Sequence, residues 1–326
     1  MKCLIMLQVL GWTVLLLLGV LFLMKGANFL VEGGSVIASY LGVPALIIGL
    51  TLVSFGTSLP ELGASLNAVL KGRSGIAVGN VIGSNIANIL LVLGVSSIIR
   101  PISIDLDVIK KEIPIMLSVM ALFLVLALPL FSVENSIERW QGFVLLIALL
   151  AYLLFFGKKV LNRGEDIDDK KVAKVERRES FDWLMNILKV IVGVSAVVIG
   201  SELVIRSAVF YINRFALIEG VVGLTIIAFA TSLPELSTTS VAALREESDI
   251  ALGNVIGSNT FNILMVIGIS AVILPLTFSG EIYSSFIVMI AASVFLTTSM
   301  YTGEKLSRIE GIVMVIAYFA YILYLY

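Results

Sequence analysis

The sequence predicts an all-α, polytopic membrane protein of ten transmembrane helices, arranged as two inverted five-helix repeats. Three observations predict it. The apolar content is too high for a soluble domain, the apolar runs have membrane-crossing length, and the chain is duplicated at a constant offset of 174 residues with an odd number of spans between the copies.

Of the 326 residues, 59% are hydrophobic and 14% charged, with a mean hydropathy of +1.07. A soluble domain carries about a quarter charged residues and about half apolar ones. This composition excludes an ordinary soluble enzyme, and equally a disordered chain, which needs low hydrophobicity and high net charge. The 22 Lys+Arg balance 23 Asp+Glu, without the basic excess expected of a nucleic-acid partner. Cys3 is the only cysteine and there is no histidine. Disulfide frameworks, thiolate cages, Ser-His catalysis, histidine zinc sites and histidine proton relays are therefore excluded. No cofactor and no obligatory protein partner are implied; the medium is the lipid bilayer.

A spanning helix needs about 20 apolar residues. Candidate spans run at 8–32, 43–70, 75–98, 112–131, 138–157, 184–206, 218–243, 249–273, 283–301 and 309–326. The first follows Lys2 like a signal peptide but lacks a small-residue cleavage site, and it has a partner in the sixth, so it is expected to be retained. Residues 158–182 (KKVLNRGEDIDDKKVAKVERRESFD) are dense in both charges and read as a solvated linker between 1–157 and 183–326, with a regulatory role left open. With the N-terminus outside, the cytoplasmic loops hold 14 basic residues and the opposite side 6. The positive-inside rule then places both termini outside and the linker in the cytoplasm of a cell (plasma) membrane protein.

The duplication is explicit. Residues 49–62, GLTLVSFGTSLPEL, match residues 223–236, GLTIIAFATSLPEL; residues 79–94, GNVIGSNIANILLVLG, match residues 253–268, GNVIGSNTFNILMVIG. The same offset sets Gly19 on Gly193 and Gly26 on Gly200. Five spans separate each copy from its partner, so the second half enters the membrane from the opposite side. That is the inverted-repeat plan of many secondary transporters, with the substrate near the midplane. A duplication serving only packing would preserve apolar patterns, with less reason to keep TSLPE and GNVIGSN letter for letter.

Glu61 and Glu235 lie inside apolar spans, where a carboxylate costs several kcal/mol. Each follows a proline, Pro60 or Pro234, that frees the carbonyl four residues back, Gly56 or Ala230. Thr57, Ser58, Thr231 and Ser232 add hydroxyls, making each motif an oxygen-rich helix break. Oxygen ligands without nitrogen or sulfur suit Ca²⁺, Na⁺ or Mg²⁺. In the second motif Gly79, Gly83, Gly253 and Gly257 have the small-xxx-small spacing of close helix contacts. Ser84 and Asn88 share one helix face, as do Ser258 and Asn262, and can complete an oxygen shell. Asn85 and Asn259 fall on a different face, where bracing the backbone and lining the pocket both stay open. Two carboxylates within about 5 Å repel by several kcal/mol. One Ca²⁺ or two Na⁺ neutralise them, so the two ions exclude each other, as an antiporter needs.

The pair GTSLPEL…GNVIGSNIAN and ATSLPEL…GNVIGSNTFN resembles the α-repeats of the sodium/calcium exchangers, in the calcium/cation antiporter superfamily, and the resemblance covers the whole chain. It implies an antiporter, not an enzyme, that exchanges several Na⁺ for one Ca²⁺ by alternating access with net charge movement. By this resemblance Glu61 and Glu235 are the central carboxylates shared by both ions, and Thr57 and Thr231 offer backbone carbonyls to Ca²⁺. Ser54, Ser58 and Ser84 form a sodium site toward one side; Ala228 (through its carbonyl), Ser232 and Ser258 form its counterpart; Asn88 and Asn262 line the middle. Spans one and six slide across the other eight. Two departures stand out. Asn262 occupies a position where some members, including potassium-dependent exchangers, carry Asp. Ser54 pairs with Ala228, which makes the two sodium sites unequal.

The alternatives are a proton-coupled Ca²⁺ (or other divalent cation) antiporter of the same superfamily and a cation channel. A channel usually places its filter on a symmetry axis along the pore, which an inverted repeat in one chain does not favour. Glu32 and Glu202 lie near span ends and are not repeat partners; interfacial solvation is their expected role, with a part in ion access as the second reading.

Overall fold

The computed structural model describes residues 2–41, 43–104, 108–128, 135–161, 183–214, 229, 231–278, 282–303 and 305–325. Most of the expected linker, the first half of the seventh span and Ala228 lie outside the described residues. The chain is mostly helical: α1 (Lys2–Tyr40), α2 (Ala45–Thr57), α3 (Leu59–Leu70), α4 (Ser74–Ile99), α5 (Ile113–Ala127), α6 (Arg139–Leu161), α7 (Trp183–Arg214), α8 (Leu233–Leu244), α9 (Ser248–Ile273), α10 (Ile282–Gly303) and α11 (Arg308–Tyr324). Among the described residues six helices are long and apolar enough to cross a membrane, or seven if bent α2–α3 is one span. Helices α5 and α11, with 15 and 17 residues, fall below that length.

Several boundaries differ from the expected ones, α7 for one running on past residue 206 to Arg214. Helix α1 continues past Glu32 through Gly33 and Gly34 to Tyr40. The diglycine reads as a stop, but Gly33 remains helical where it packs against Asn186 and Val190 of α7. Helix α6 runs past residue 157 to Leu161, taking the first residues of the expected linker.

The helices sort into three roles. In their most apolar stretches α4 and α9 are 78% and 83% buried, against 28% for α6 and α7, so α4 and α9 form the centre. Around them, α6, α7, α10 and α11 present large apolar side chains outward, among them Ile147, Leu150, Ile191, Ile287, Ile316 and Leu323. Such a surface is soluble only in lipid. Helices α1 and α7 make the most extensive helix pair. Their contact is built on glycine: a Cβ added at Gly19 would lie 2.9 Å from the Gly200 carbonyl oxygen, and one at Gly26 2.8 Å from that of Gly193. Without side chains the two backbones approach directly.

Two two-stranded antiparallel ribbons tie the halves together outside the helices. Strand β1 (Ile102–Ser103) pairs with β4 (Lys305–Leu306), and β2 (Ser136–Ile137) with β3 (Leu276–Thr277). Each ribbon takes one strand from either half.

Candidate ion-binding site

The site begins at a break. Helices α2 and α3 meet at Ser58 (φ −83°, ψ 1°) with a bend of 40°. Pro60 occupies the first turn of α3, where a missing N–H leaves no bond unmade. Ser232 (φ −82°, ψ 2°) repeats this geometry ahead of α8 with Pro234 in its first turn. Glu61 and Glu235 thus stand in the first turn of a helix, where the positive end of the helix dipole favours a carboxylate. A serine before a helix normally caps it with its side chain; neither Ser58 nor Ser232 does so.

Helices α4 and α9 cross behind these breaks. A Cβ added at Gly253 would lie 2.9 Å from the Gly49 Cα, and Gly257 packs against Leu50 and Ser54, so the expected close-contact role of these two glycines is met. After Asn88 and Asn262 both helices pass into a π-helical stretch, Asn88–Val92 and Asn262–Ile267. Such stretches are frequent at functional sites.

The result is one buried polar cluster. Ser54, Thr57, Ser58, Glu61, Ser84, Asn88, Ser258, Asn262 and Glu235 are fully buried, with Thr231 and Ser232 nearly so. The two carboxylates lie close enough to repel; the Thr231 hydroxyl lies beside Glu61, and those of Thr57, Ser58 and Ser258 beside Glu235. Ser58 Oγ, both oxygens of Glu61 and Asn88 Oδ1 have no hydrogen-bond partner, nor do their repeat mates Ser232 Oγ, both oxygens of Glu235 and Asn262 Oδ1. That makes eight bare oxygens in matched sets of four. Buried polar groups are otherwise almost always paired, so such a concentration in two symmetric sets fits a hard cation, which binds oxygen alone. Among the described residues no three His, Cys, Asp or Glu cluster. The cluster thus holds two carboxylates beside neutral oxygens.

Of the expected site residues, all but Ala228 fall within the described structure and come together here. Two of these hydroxyls also reach a backbone carbonyl three residues back, Ser54 that of Thr51 and Thr57 that of Ser54, both at 3.3 Å.

Hydrogen bonds across the halves are reciprocal. Thr57 Oγ1 donates to Asn254 Oδ1 at 3.0 Å, and Thr231 Oγ1 to Asn80 Oδ1 at 3.3 Å. Thr57 and Ser258 share a bond of 3.2 Å, as do Thr231 and Ser84. Asn88 Nδ2 donates to Asn259 Oδ1 and Asn262 Nδ2 to Asn85 Oδ1, both at 3.1 Å. Asn85 and Asn259 absorb the amide protons of Asn88 and Asn262, whose own carbonyl oxygens stay bare, and Asn85 Nδ2 also donates to the Asn259 backbone carbonyl at 3.3 Å, a contact of the backbone-bracing kind. Asn80 and Asn254 each stand in a repeated GNVIGSN, four residues before Ser84 and Ser258 and so on the same helix face; it is their hydrogen bonds to Thr231 and Thr57, not their spacing, that reveal a supporting position.

Glu32 sits inside α1, not at a helix end. It bonds Lys189 of α7 at 2.7 Å, with Arg245 at 3.9 Å. Arg245 also donates to Asn28, at 2.8 Å, and Ser35 to Glu247, at 2.7 Å. Glu202 pairs with Arg206 one turn along α7.

A family model described as sodium/calcium exchanger protein matches residues 11–158 and 185–326. The chain is 34% identical over 291 residues to the sodium/calcium exchanger MaX1 of Methanosarcina acetivorans, covering 79% of this chain and 82% of that one. It is 33% identical over 264 residues to the putative antiporter CaxA of Alkalimonas amylolytica, covering 78% and 79%. Its fold is similar to that of the sodium-calcium exchanger NCX_Mj soaked with 100 mM Na⁺ and 10 mM Sr²⁺, with a TM-score of 0.80, 30% identity and coverage of 97% and 98%. A second NCX_Mj structure, soaked with zero Na⁺ and Ca²⁺, gives 0.80 and 30% over 98% and 100%. The chain therefore belongs to the sodium/calcium exchanger protein family and is an integral, multi-pass membrane protein of the cation-antiporter kind.

Proposed function

We propose that this protein exchanges Na⁺ for Ca²⁺ across the membrane at a single site alternately open to either side. The observation that carries the reading is the set of eight bare, buried oxygens, four from Glu61 and Glu235 and four from Ser58, Asn88, Ser232 and Asn262. Glu61 and Glu235 bind both ions; Ser58, Ser84, Asn88, Ser232, Ser258 and Asn262 complete the shell, with the backbone carbonyls of Thr57 and Thr231. Ser54 and Ala228 belong to the two flanking sodium positions. Two carboxylate charges are balanced by one Ca²⁺ or two Na⁺, so the ions displace each other. A third Na⁺ per cycle makes exchange electrogenic. MaX1 and NCX_Mj are named as sodium/calcium exchangers, which supports sodium as the coupling ion.

Two inverted five-helix repeats, 1–157 and 183–326, joined by a cytoplasmic linker at 158–182 in a ten-span plasma-membrane protein with external termini, accommodate the reciprocal hydrogen bonds and the two mixed ribbons. In an isologous pair, residue i meets j wherever j meets i. The sequence is symmetric but the covering of the site is not. The α1–α7 pair leans on α8 mainly through α1, and only α7 lightly touches α3. Val241 of α8 packs beneath Leu23, Ala27 and Val197, whereas Asn67, its counterpart on α3, is exposed, as is Gly63. Sliding the pair from α8 to α3 exchanges the covered and bare sides, which is alternating access.

The test is ⁴⁵Ca²⁺ uptake into proteoliposomes driven either by an outward Na⁺ gradient or by a pH gradient. Uptake that follows sodium and responds to membrane potential supports the reading. Uptake that follows only the pH gradient replaces it with proton coupling, for which the two bare carboxylates also provide the groups. Flux without a counter-ion indicates a channel.

A further inference from the structure

We propose that Asn80 and Asn254 are positioning residues that aim lone pairs, not protons, of the site hydroxyls at the transported cation. The inference rests on the ion-site reading above. A hydroxyl has one proton and two lone pairs, whereas an asparagine amide nitrogen only donates and its oxygen only accepts. A site hydroxyl beside a carboxylate would by default donate to it. That bond satisfies both groups and competes with a cation for the same oxygens.

The structure diverts those protons. Asn80 Nδ2 donates to Ser65 Oγ at 3.1 Å, and Asn254 Nδ2 to Thr239 Oγ1 at 3.0 Å. With its nitrogen engaged on the outer side, each amide turns its oxygen inward, where it accepts from Thr231 at 3.3 Å and from Thr57 at 3.0 Å. The threonine protons are then committed away from the carboxylates. The bonds that Ser84 shares with Thr231 and Ser258 with Thr57 must run from serine to threonine, so the serine protons are committed as well. The Thr57 oxygen, which faces acceptors at Asn254 and at the Ser54 carbonyl and accepts from Ser258, keeps one lone pair. Two directed chains result: Ser84 to Thr231 to Asn80, and Ser258 to Thr57 to Asn254. The carboxylate oxygens of Glu61 and Glu235 are bare although hydroxyls lie beside them, as this arrangement requires.

All four supporting side chains, Ser65, Asn80, Thr239 and Asn254, are buried, and each chain crosses between the halves. Outer-shell groups of this kind typically change metal affinity about 10–100-fold when removed.

The experiment measures Na⁺-driven Ca²⁺ uptake by the full chain in proteoliposomes, separating the Ca²⁺ KM from the maximal rate, with equilibrium Ca²⁺ binding by calorimetry alongside. Asn80→Ala is expected to raise KM and weaken binding at least about tenfold, with the maximal rate within about twofold. The double variant Asn80→Ala with Thr231→Val is expected to be no worse than Thr231→Val alone, because both act through one oxygen. Ser65→Ala is expected to raise KM a few-fold, and Ser65→Thr, which copies Thr239, to restore it. Unchanged KM in Asn80→Ala, or losses that multiply in the double variant, overturn the proposal. If Asn80→Ala does not fold, the Ser65→Ala and Ser65→Thr pair decides by itself. Glu61→Gln, run in parallel, separates the two readings. Ca²⁺ flux that survives it overturns the ion site and this proposal together, and flux that stops while the asparagine and serine variants behave as wild type overturns the positioning role alone.

Discussion

At the scale of the residue, the proposed site turns on where its protons are sent. A buried unpaired polar atom costs about 1–3 kcal/mol. Eight of them, the four carboxylate oxygens and four neutral ones beside them, are therefore a standing destabilisation that a bound cation relieves. Glu61→Gln or Glu235→Gln replaces half the charge and adds an amide donor, and is expected to lower Ca²⁺ uptake by a hundredfold or more on the scale of about 1.4 kcal/mol per tenfold. Uptake within a few-fold of wild type would refute the assignment. Asn262→Asp adds a third carboxylate but removes the donor to Asn85. Tighter Ca²⁺ binding with a lower melting temperature in the ion-free protein is the expected combination, measured by calorimetry and thermal unfolding. The site carboxylates, hydroxyls and asparagines were legible because two copies of a motif isolate them from a drifting apolar background. Asn80 and Asn254 were not, because their role depends on which hydroxyl each amide atom meets across the two halves.

At the scale of the element, the sequence marks the breaks but not their form. Pro60 and Pro234 announce an interruption, and the structure sets it at Ser58 and Ser232, with each glutamate in the first turn beyond. The continuation of α1 through Gly33 and Gly34 was hidden, since only the contact with α7 separates a packing glycine from a terminating one. The glycine seam of α1 and α7 also predicts a mechanical phenotype. A side chain at Gly26 meets the Gly193 carbonyl and the Val197 amide nitrogen at 2.8 Å, and overpacking of this kind costs about 1–3 kcal/mol. Gly26→Val is expected to slow exchange at least tenfold while Ca²⁺ still raises the melting temperature; loss of that thermal shift would instead place the defect in the binding site. The polar ties of Glu32 to Lys189 and Arg245 are partly exposed, and such pairs contribute about 0–1 kcal/mol. Glu32→Gln should therefore alter the exchange rate by no more than about fivefold.

At the scale of the whole molecule, halves that share the same motifs adopt unequal surroundings, and in the proposed cycle that inequality is what switches. Cys3 is the only cysteine, so a Cys3→Ser background accepts single reporters. Asn67→Cys is expected to react with a membrane-impermeant maleimide from the side of the Lys71–Arg73 loop. Val241→Cys should be protected when α1 covers it and react from the opposite side after the switch. A cysteine in the 158–182 linker should be labelled only from the cytoplasm. Labelling of Asn67→Cys and the linker from the same side would overturn the inverted arrangement.

Composition, the fixed offset of 174 and the repeated TSLPE and GNVIGSN motifs were enough to indicate a helical membrane protein, an internal duplication and an oxygen-only site. These properties reside in residue type and spacing, which the chain carries locally. The pairing of α1 with α7, the crossing of α4 and α9 behind the breaks, the uneven covering of α3 and α8, and the direction of each hydroxyl proton were decided only by the tertiary structure. Most of these depend on atoms brought together from the two halves of the chain, and a hydrogen bond's direction is set by the partner it meets rather than by the residue that makes it.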